Sequence, residues 1–431
     1  MAPCREMTSF RFPNGVRYSC LRCGDGCRTF NVPLGPGERD TLKKLDWAGK
    51  EEHLDGAPPA QRLAPPGQEA RWCLRRRNDG ACIYLDDDNL CLIHKHFGAE
   101  AKPLMCRLYP FGFYPMGGEI GVDVAFTCRA VSRGHGNPVE EAEPEWSRLL
   151  HEAGGKAEDK QKHEIRPGVD LPGSIVWELE HCMLGFLNNE TLKLFDRIRA
   201  VLLFLRIGTT GDPTADTARP LREAMTKGIP VQIIRKRVDS QMDKTQRAIF
   251  YQWLFLCLNP PPHQVHGMPQ NELEIEKARR LKAGQRYLKR RGKPWIDDRE
   301  INADFKAIAR VDGDILKRAD TAALIVVYLQ AKILGQRFLI AAGDELPFVE
   351  AAQKFFIVVP MIIWTAKALA ADRGASRAEV DDVRGAIRLV DRTLGTLPTS
   401  ALPKKQAEAC DFIMLETDFV EAAIADLLAG R

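Results

Sequence analysis

The sequence predicts a mainly α protein in two parts. Residues 1–140 read as a small, irregular, cysteine-rich metal-binding module with short β pieces, and residues 141–431 as an all-α helical domain. Two observations carry this division. Eight of the 12 cysteines lie between Cys20 and Cys128, in a stretch dense in glycine, proline and aspartate, whereas residues 129–431 hold three. From about Glu141 onward apolar residues recur at spacings of three and four, the signature of amphipathic helices rather than strands.

In the first part, Arg11–Phe12 and Val16–Ser19 read as β pieces joined by the turn signal Pro13-Asn14-Gly15. Glu38–Trp47 is expected as a short helix entered from Pro36-Gly37, and Gly56–Gly67 as a proline-rich surface loop. Apolar side chains are few here and spread over many loops, so this part needs a staple. Metal ligation supplies one, because bonds made only in the native state count directly as folding free energy.

The second part reads as seven to nine helices. Trp177–Gly208 keeps the helical spacing throughout, and Ala248–Leu258 stops at Asn259-Pro260-Pro261-Pro262, where proline cannot continue a helix. Further amphipathic segments cover about Glu272–Arg290, Ile301–Arg318, Ala322–Ala342, Pro347–Ala371, Arg377–Leu394 and Lys404–Leu428. Strand-like alternation is nearly absent, and no internal repeat is evident.

Composition excludes several classes. With 45% apolar and 28% charged residues the chain is neither collagen-like, wholly disordered nor a disulfide miniprotein. Its net charge of +4 is too near balance to argue for a nucleic-acid partner. The opening MAPCREMTSFRF has no apolar core of a secretory signal. The longest apolar runs, Phe355–Ala366 and Leu324–Leu329, fall short of the ~18–20 residues that span a bilayer. A cytoplasmic protein without a membrane partner is expected, in which thiols stay free for metal or redox chemistry.

The cysteines are arranged as Cys20-Leu-Arg-Cys23-Gly-Asp-Gly-Cys27, then Cys82, Cys91, Cys106 and Cys128, with Cys73 upstream of Cys82. Two cysteines separated by two residues place two thiolates on one turn of loop. Gly24 and Gly26 let backbone amides turn toward the sulfurs. Thiolate-rich sets of this kind suit tetrahedral zinc or an iron–sulfur cluster. Four ligands make one site; seven or eight make two sites or a larger assembly. His94 and His96 follow Cys91 at a spacing zinc could use, but a surface or core role is favoured for both. Cys182, Cys257 and Cys410 sit in helical apolar contexts and read as core residues.

Together, Cys20-x2-Cys23-Gly24-x2-Cys27-Arg28, Cys82-Ile-Tyr-Leu-x4-Leu-Cys91-Leu-Ile, Leu-x-Cys106-Arg107-Leu108-Tyr109-Pro110-Phe111 and Cys128 resemble the CxxCxxCC family of zinc- or iron-chelating cysteine-cluster proteins. Flagellin lysine-N-methylases belong to that group, and the helical part loosely resembles those longer members. The resemblance implies metal ligation by Cys20, Cys23, Cys27, Cys82, Cys91, Cys106 and Cys128. For methylase-type members it further implies an iron–sulfur cluster, S-adenosylmethionine as methyl donor and a protein substrate. The chain departs from the pattern in two places: Gly26 stands where the family commonly has a paired cysteine, and His94 where shorter members have tyrosine.

Methylating lysine needs a neutral amine, hence desolvation or a nearby carboxylate. Asp25 and the run Asp86-Asp87-Asp88 are candidates, though turn roles are favoured for both. Arg107, Tyr109 and Arg129, beside ligand cysteines, are candidate cofactor-binding residues through charge-assisted hydrogen bonds. No dinucleotide or phosphate-loop fingerprint accompanies them. A protein-lysine N-methyltransferase and a non-catalytic metal-binding protein with a structural centre both stay open. Lys277–Lys293 carries nine Lys/Arg and no acid, with Ala278, Leu281 and Leu288 expected to form its narrow packed face. It is read as a solvated helix face rather than a nucleic-acid grip.

Overall fold

A computed structural model describes residues 9–63, 70–116, 119–152, 162–166, 168–209, 218–236, 241–260, 270–339, 347–394, 413, 415 and 418–430. Cys4, Cys410 and most of Lys404–Phe419 lie outside the described residues, as does the end of the proline-rich stretch at 64–67. The architecture is mainly α, with short strands gathered in small sheets toward the N-terminus and helices after them.

The strands are β1 (Phe10–Arg11), β2 (Arg17–Tyr18), β3 (Ala60–Leu63), β4 (Arg71–Leu74), β5 (Phe111–Met116), β6 (Glu119–Val124), β7 (Asn137–Pro138), β8 (Lys162–Arg166), β9 (Val169–Pro172), β10 (Trp295–Ile296) and β11 (Arg299–Glu300). The turn at Pro13-Asn14-Gly15 does not close a hairpin. Instead β1 joins β6 in parallel, Phe10 opposite Ile120, and β2 joins β7, Arg17 opposite Pro138. β1 thus adds to the edge of a longer strand, while β2 and β7, two residues each, make a separate pair. β5 and β6 form the longest antiparallel pair, with Phe111 opposite Val124. Within the expected proline-rich loop, Ala60–Leu63 pairs with β4. The hairpin β8–β9 is a departure from the all-helical expectation after residue 141; Pro167-Gly168 was its signal in the sequence.

The helices preceding residue 140 are short: α1 (Asp25–Thr29), α2 (Glu38–Lys43), α3 (Leu92–Phe97), α4 (Leu104–Leu108) and α5 (Arg129–Ser132). After it come α6 (Glu143–Glu152), α7 (Gly173–Asn188), α8 (Leu194–Thr209), α9 (Ala218–Lys227), α10 (Val231–Ile234), α11 (Lys244–Leu258), α12 (Gln270–Lys289), α13 (Phe305–Arg310), α14 (Ala319–Leu334), α15 (Phe348–Phe355), α16 (Val358–Asp372), α17 (Val380–Val390) and α18 (Phe419–Leu428). Their starts follow local chemistry. Asp243 and Gln246 form a reciprocal capping box on α11, and Glu379 and Asp382 another on α17. The expected segment Pro347–Ala371 is split at Phe356–Ile357, four residues before Pro360, whose ring clashes with a helical carbonyl at that offset. The helical stretch Phe348–Asp372 is long and apolar enough to cross a membrane by length and composition, yet 83% of its most apolar window is buried inside the protein.

Three cores of unequal size result among the described residues, the least of them only Leu192, Ala200 and Ile234. The main one takes Val16, Phe111, Val122 and Phe126 from one side of residue 140 and Tyr328, Phe355, Trp364 and Ile387 from the other. A small one consists of eight residues, Leu42, Trp47, Leu54, Leu74, Ile83, Tyr84, Leu92 and Ile93, flanked by Cys82, Cys91 and Cys106. α12 does not pack as expected. Leu281 and Leu288 are exposed, while Ala283 and Tyr287 are buried, with Gly284 giving room for the Phe255 ring. The packed stripe lies on the side where a ring and a glycine fit α11.

β6 meets α14 at unusually short range. A side chain on Gly121 would collide with the Leu334 carbonyl, and one on Gly335 with Asp123. That approach lets Lys332 reach Asp123 at 3.0 Å, Asp391 at 2.9 Å and the Val124 carbonyl at 2.7 Å, all out of solvent. Burial opposes charge on Lys332, but the two carboxylates outweigh it and hold the ammonium protonated. Asp391 in turn accepts from the Thr127 amide at 3.0 Å, one residue before Cys128.

A candidate thiolate metal centre

The segment from Cys20 to Cys27 is built on glycine. Gly24 takes a left-handed conformation (φ 68°) to start α1, whose one turn brings Cys27 round. Gly26 lies under the Tyr109 ring, 3.1 Å from where a Cβ would sit. The family's extra cysteine would therefore press on Tyr109, a physical reason for glycine at this position.

Cys82 follows a turn and is tied to the first loop by its amide, which donates to the Cys27 carbonyl at 2.8 Å. Cys91 bridges back to Leu85 and stands at the start of α3, Cys106 lies in α4, and Cys128 stands at the start of α5. All seven are free thiols, Cys20 exposed, Cys128 buried and the rest between.

Electrostatic influence sorts them into two groups. Cys27, Cys82, Cys91 and Cys106 form one: burial pushes the Cys82 thiol up to about 12, and the charges of Cys27 and Cys91 add to that. Cys106 is raised in the same way by burial and by Cys82, Cys27 and Cys91, and Cys27 by burial and by Cys91. Cys20, Cys23 and Cys128 form the other: burial raises Cys128, and the charges of Cys23 and Cys20 raise it further. The groups adjoin, since Cys27 also feels Cys20.

Hydrogen bonds aimed at sulfur occur in both. Cys20 Sγ accepts from the Arg22 amide at 3.4 Å and is bonded to the Tyr18 hydroxyl. The Tyr84 amide donates to Cys82, and the Ala130 and Val131 amides to Cys128. Such donors stabilise sulfur that carries charge. Among the described residues, no three Cys, His, Asp or Glu side chains stand close enough together to hold a metal ion. The donor set nonetheless fits zinc or iron. Thiols that burial and mutual repulsion keep protonated are poor nucleophiles, and a soft divalent cation among them would offset both costs.

The remaining candidates fall in place around this array. Cys73 is buried in β4, where Arg71 is the charge that bears on it, and Cys257 is buried in α11. His94 is exposed and His96 Nε2 meets Glu51 at 3.0 Å. Asp86 Oδ1 accepts from the Leu90 amide at 2.7 Å in a turn, with Asp87 and Asp88 solvent-exposed. Tyr109 packs on Phe30, and burial and the Cys128 charge raise its hydroxyl. Arg107 pairs with Glu100. Arg129 binds Asp25 through two nitrogens at 3.0 and 3.2 Å, and Arg388 of α17 reaches the same carboxylate at 3.1 Å.

Two contributors were missed in the sequence. Arg76 donates to the Gly80 carbonyl at 2.6 Å and to the carbonyls of Phe30 and Arg28, so one guanidinium fastens the loops of Cys27 and Cys82. Its signal was the run Arg75-Arg76-Arg77 just before Cys82. Arg388, hundreds of residues from Asp25, had none.

This geometry defines a thiol-rich module. Residues 19–129 match the CxxCxxCC family, described as "Putative zinc- or iron-chelating domain". That match spans about a quarter of the chain and supports a metal-binding protein. An uncharacterised protein of Methanocaldococcus jannaschii is similar, at 30% identity over 99 residues, 22% of this chain and 30% of the relative. The chain thus covers under a third of that relative's length. No solved structure matches this chain.

Proposed function

We propose that the N-terminal module binds zinc or iron through Cys27, Cys82, Cys91 and Cys106, and that this centre holds the module together. One observation carries the reading: Cys82, Cys91 and Cys106 pack on the flank of an eight-residue core, and the Cys82 amide ties the Cys27 loop to them. So small a core stabilises little on its own. Cys20, Cys23 and Cys128 extend the set to the seven ligands expected. When bound, the metal supplies cross-linking of the loops. The protein's part is to present thiolates, with Tyr84 steadying Cys82 and Arg76 fixing two loops.

Anaerobic purification with metal and sulfide analysis tests this. Stoichiometric zinc or iron is expected, and Cys82→Ser with Cys91→Ser should lower it. Unchanged metal content in the double variant defeats the reading. Protein-lysine methyl transfer from S-adenosylmethionine is a finer proposal, supported by sequence resemblance alone, with Arg107, Tyr109 and Arg129 as its cofactor contacts. Equilibrium dialysis checks it: saturable binding that disappears with the metal supports it, and no binding to the loaded protein removes it.

A further inference from the structure

We infer that the outer face of α12 is a docking site for an acidic amphipathic helix of a partner protein. Seven large apolar side chains are exposed among the described residues, and three of them, Ile275, Leu281 and Leu288, belong to this one helix, at 67%, 66% and 46% exposure. Single exposed leucines are ordinary, but a row of them on one face marks a contact surface. The opposite face is already used: Ala283 and Tyr287 are buried, and Gly284 admits the Phe255 ring. α12 is therefore seated on the protein by one side and presents a second apolar row to solvent.

That row has the period of a seam between helices. Ala278, Leu281, Gln285 and Leu288 follow one another at three, four and three residues, and all four are exposed. Such a strip is the narrow stripe of a coiled coil, not the broad apolar face of a helix lying in a membrane. The one aromatic residue of α12, Tyr287, is buried and offers no anchor to a lipid surface.

Charge on the rim decides the sign of the partner. Lys277 borders the row on one side, where it also meets Glu274 at 2.9 Å, and Lys282 and Lys289 border it on the other. Lys282 and Lys289 are exposed and form no salt bridge among the described residues. Arg280 and Arg286, nearer the protein, are instead paired with Asp298 and Glu300. A second copy of α12 would set lysine against lysine, which repels. Nucleic acid would bring phosphate to a strip of leucine. A helix with apolar residues along its seam and glutamate on its flanks satisfies both the leucines and the lysines.

Fluorescence anisotropy with the intact, metal-loaded protein tests this, using two labelled synthetic helices. Both carry leucine along the seam; one has glutamate on the flanks and the other lysine. Saturable binding of the glutamate helix and none of the lysine helix is expected. Leu281→Ser with Leu288→Ser should weaken that binding about tenfold or more. Lys282→Glu with Lys289→Glu should reverse the preference, so that the lysine helix binds instead. All four side chains are exposed, so both variants keep their fold, which unchanged circular dichroism verifies. Failure to bind the glutamate helix, or equal binding by the serine variant, would overturn the inference. So would dimerisation of the unaltered protein, or its binding to anionic vesicles or duplex DNA, where the serine variant abolishes it, because each gives this face a different occupant.

Discussion

The small core and the main core of this protein solve the same problem with different means. Around Trp47, Tyr84 and Leu92 the chain buries eight apolar residues and surrounds them with thiols. Around Trp364, Tyr328 and Phe355 it buries whole helices, α16 being enclosed along nearly its entire length. Burial stabilises at roughly 25 cal/mol per Å², so the helical region is held chiefly by area. The small core lacks the area and is furnished with sulfur. Charge is treated differently too: near the cysteines it is gathered and left for a cation, whereas in the main core Lys332 is already paired with two buried carboxylates.

The sharpest way to break this contrast is to remove the metal. Thiolate-bound zinc is worth on the order of 10 kcal/mol to a small module. Chelation should therefore open the stretch around the small core, from Leu42 to Ile93, to protease while far-ultraviolet circular dichroism of the helices persists. Equal loss in both regions would show that they do not differ in this way. Next in size, Lys332→Met strands Asp123 and Asp391 as buried charges and should cost about 3–5 kcal/mol in urea unfolding. Metal content should be retained.

Leu92→Ala, in the small core at 1% exposure, should cost about 3 kcal/mol. Measured with and without metal, the penalty should be visible chiefly in the metal-loaded module, since the stripped one has little structure to lose. Arg76→Met removes the clamp on the loops of Cys27 and Cys82 and should weaken metal affinity about tenfold in a chelator competition.

The smallest effect belongs to the helical region. Burial pushes the Asp372 carboxyl up, but the Asn302 amide at 2.7 Å and Arg299 at 2.8 Å outweigh it and hold the group below its usual value. A depressed carboxyl contributes stability above its unfolded pKa and loses it as pH falls through the folded one. Asp372→Asn should accordingly cost about 1 kcal/mol near pH 7. The difference from the unaltered protein should vanish in acid, below that depressed pKa.

Much of this was legible in order of locality. Cys20, Cys23 and Cys27 share one loop, so their neighbourhood follows from spacing, and the capping box at Asp243 and Gln246 is a four-residue matter. The α12 stripe was misread because its many cations hide which apolar residues face the protein: Leu281 looks outward and Tyr287, among arginines, is wholly buried. Arg388 and Asp25 meet across the fold, and no local signal announces such a pair.

By itself the amino-acid sequence determined that a cysteine-rich, loop-built module precedes a helical body, and which thiols were candidates for metal. Both follow from composition and from periodicity over a few turns, which short-range sterics and burial dictate. Only the tertiary structure decided which cysteines pack on which core, because intervals of 8, 14 and 21 residues between Cys82, Cys91, Cys106 and Cys128 constrain separation weakly. The same is true of the helical region's hold on the site: Asp391 and Arg388 reach Thr127 and Asp25 through packing between distant helices and loops. Such contacts arise from the mutual fit of surfaces, which no run of neighbouring residues encodes.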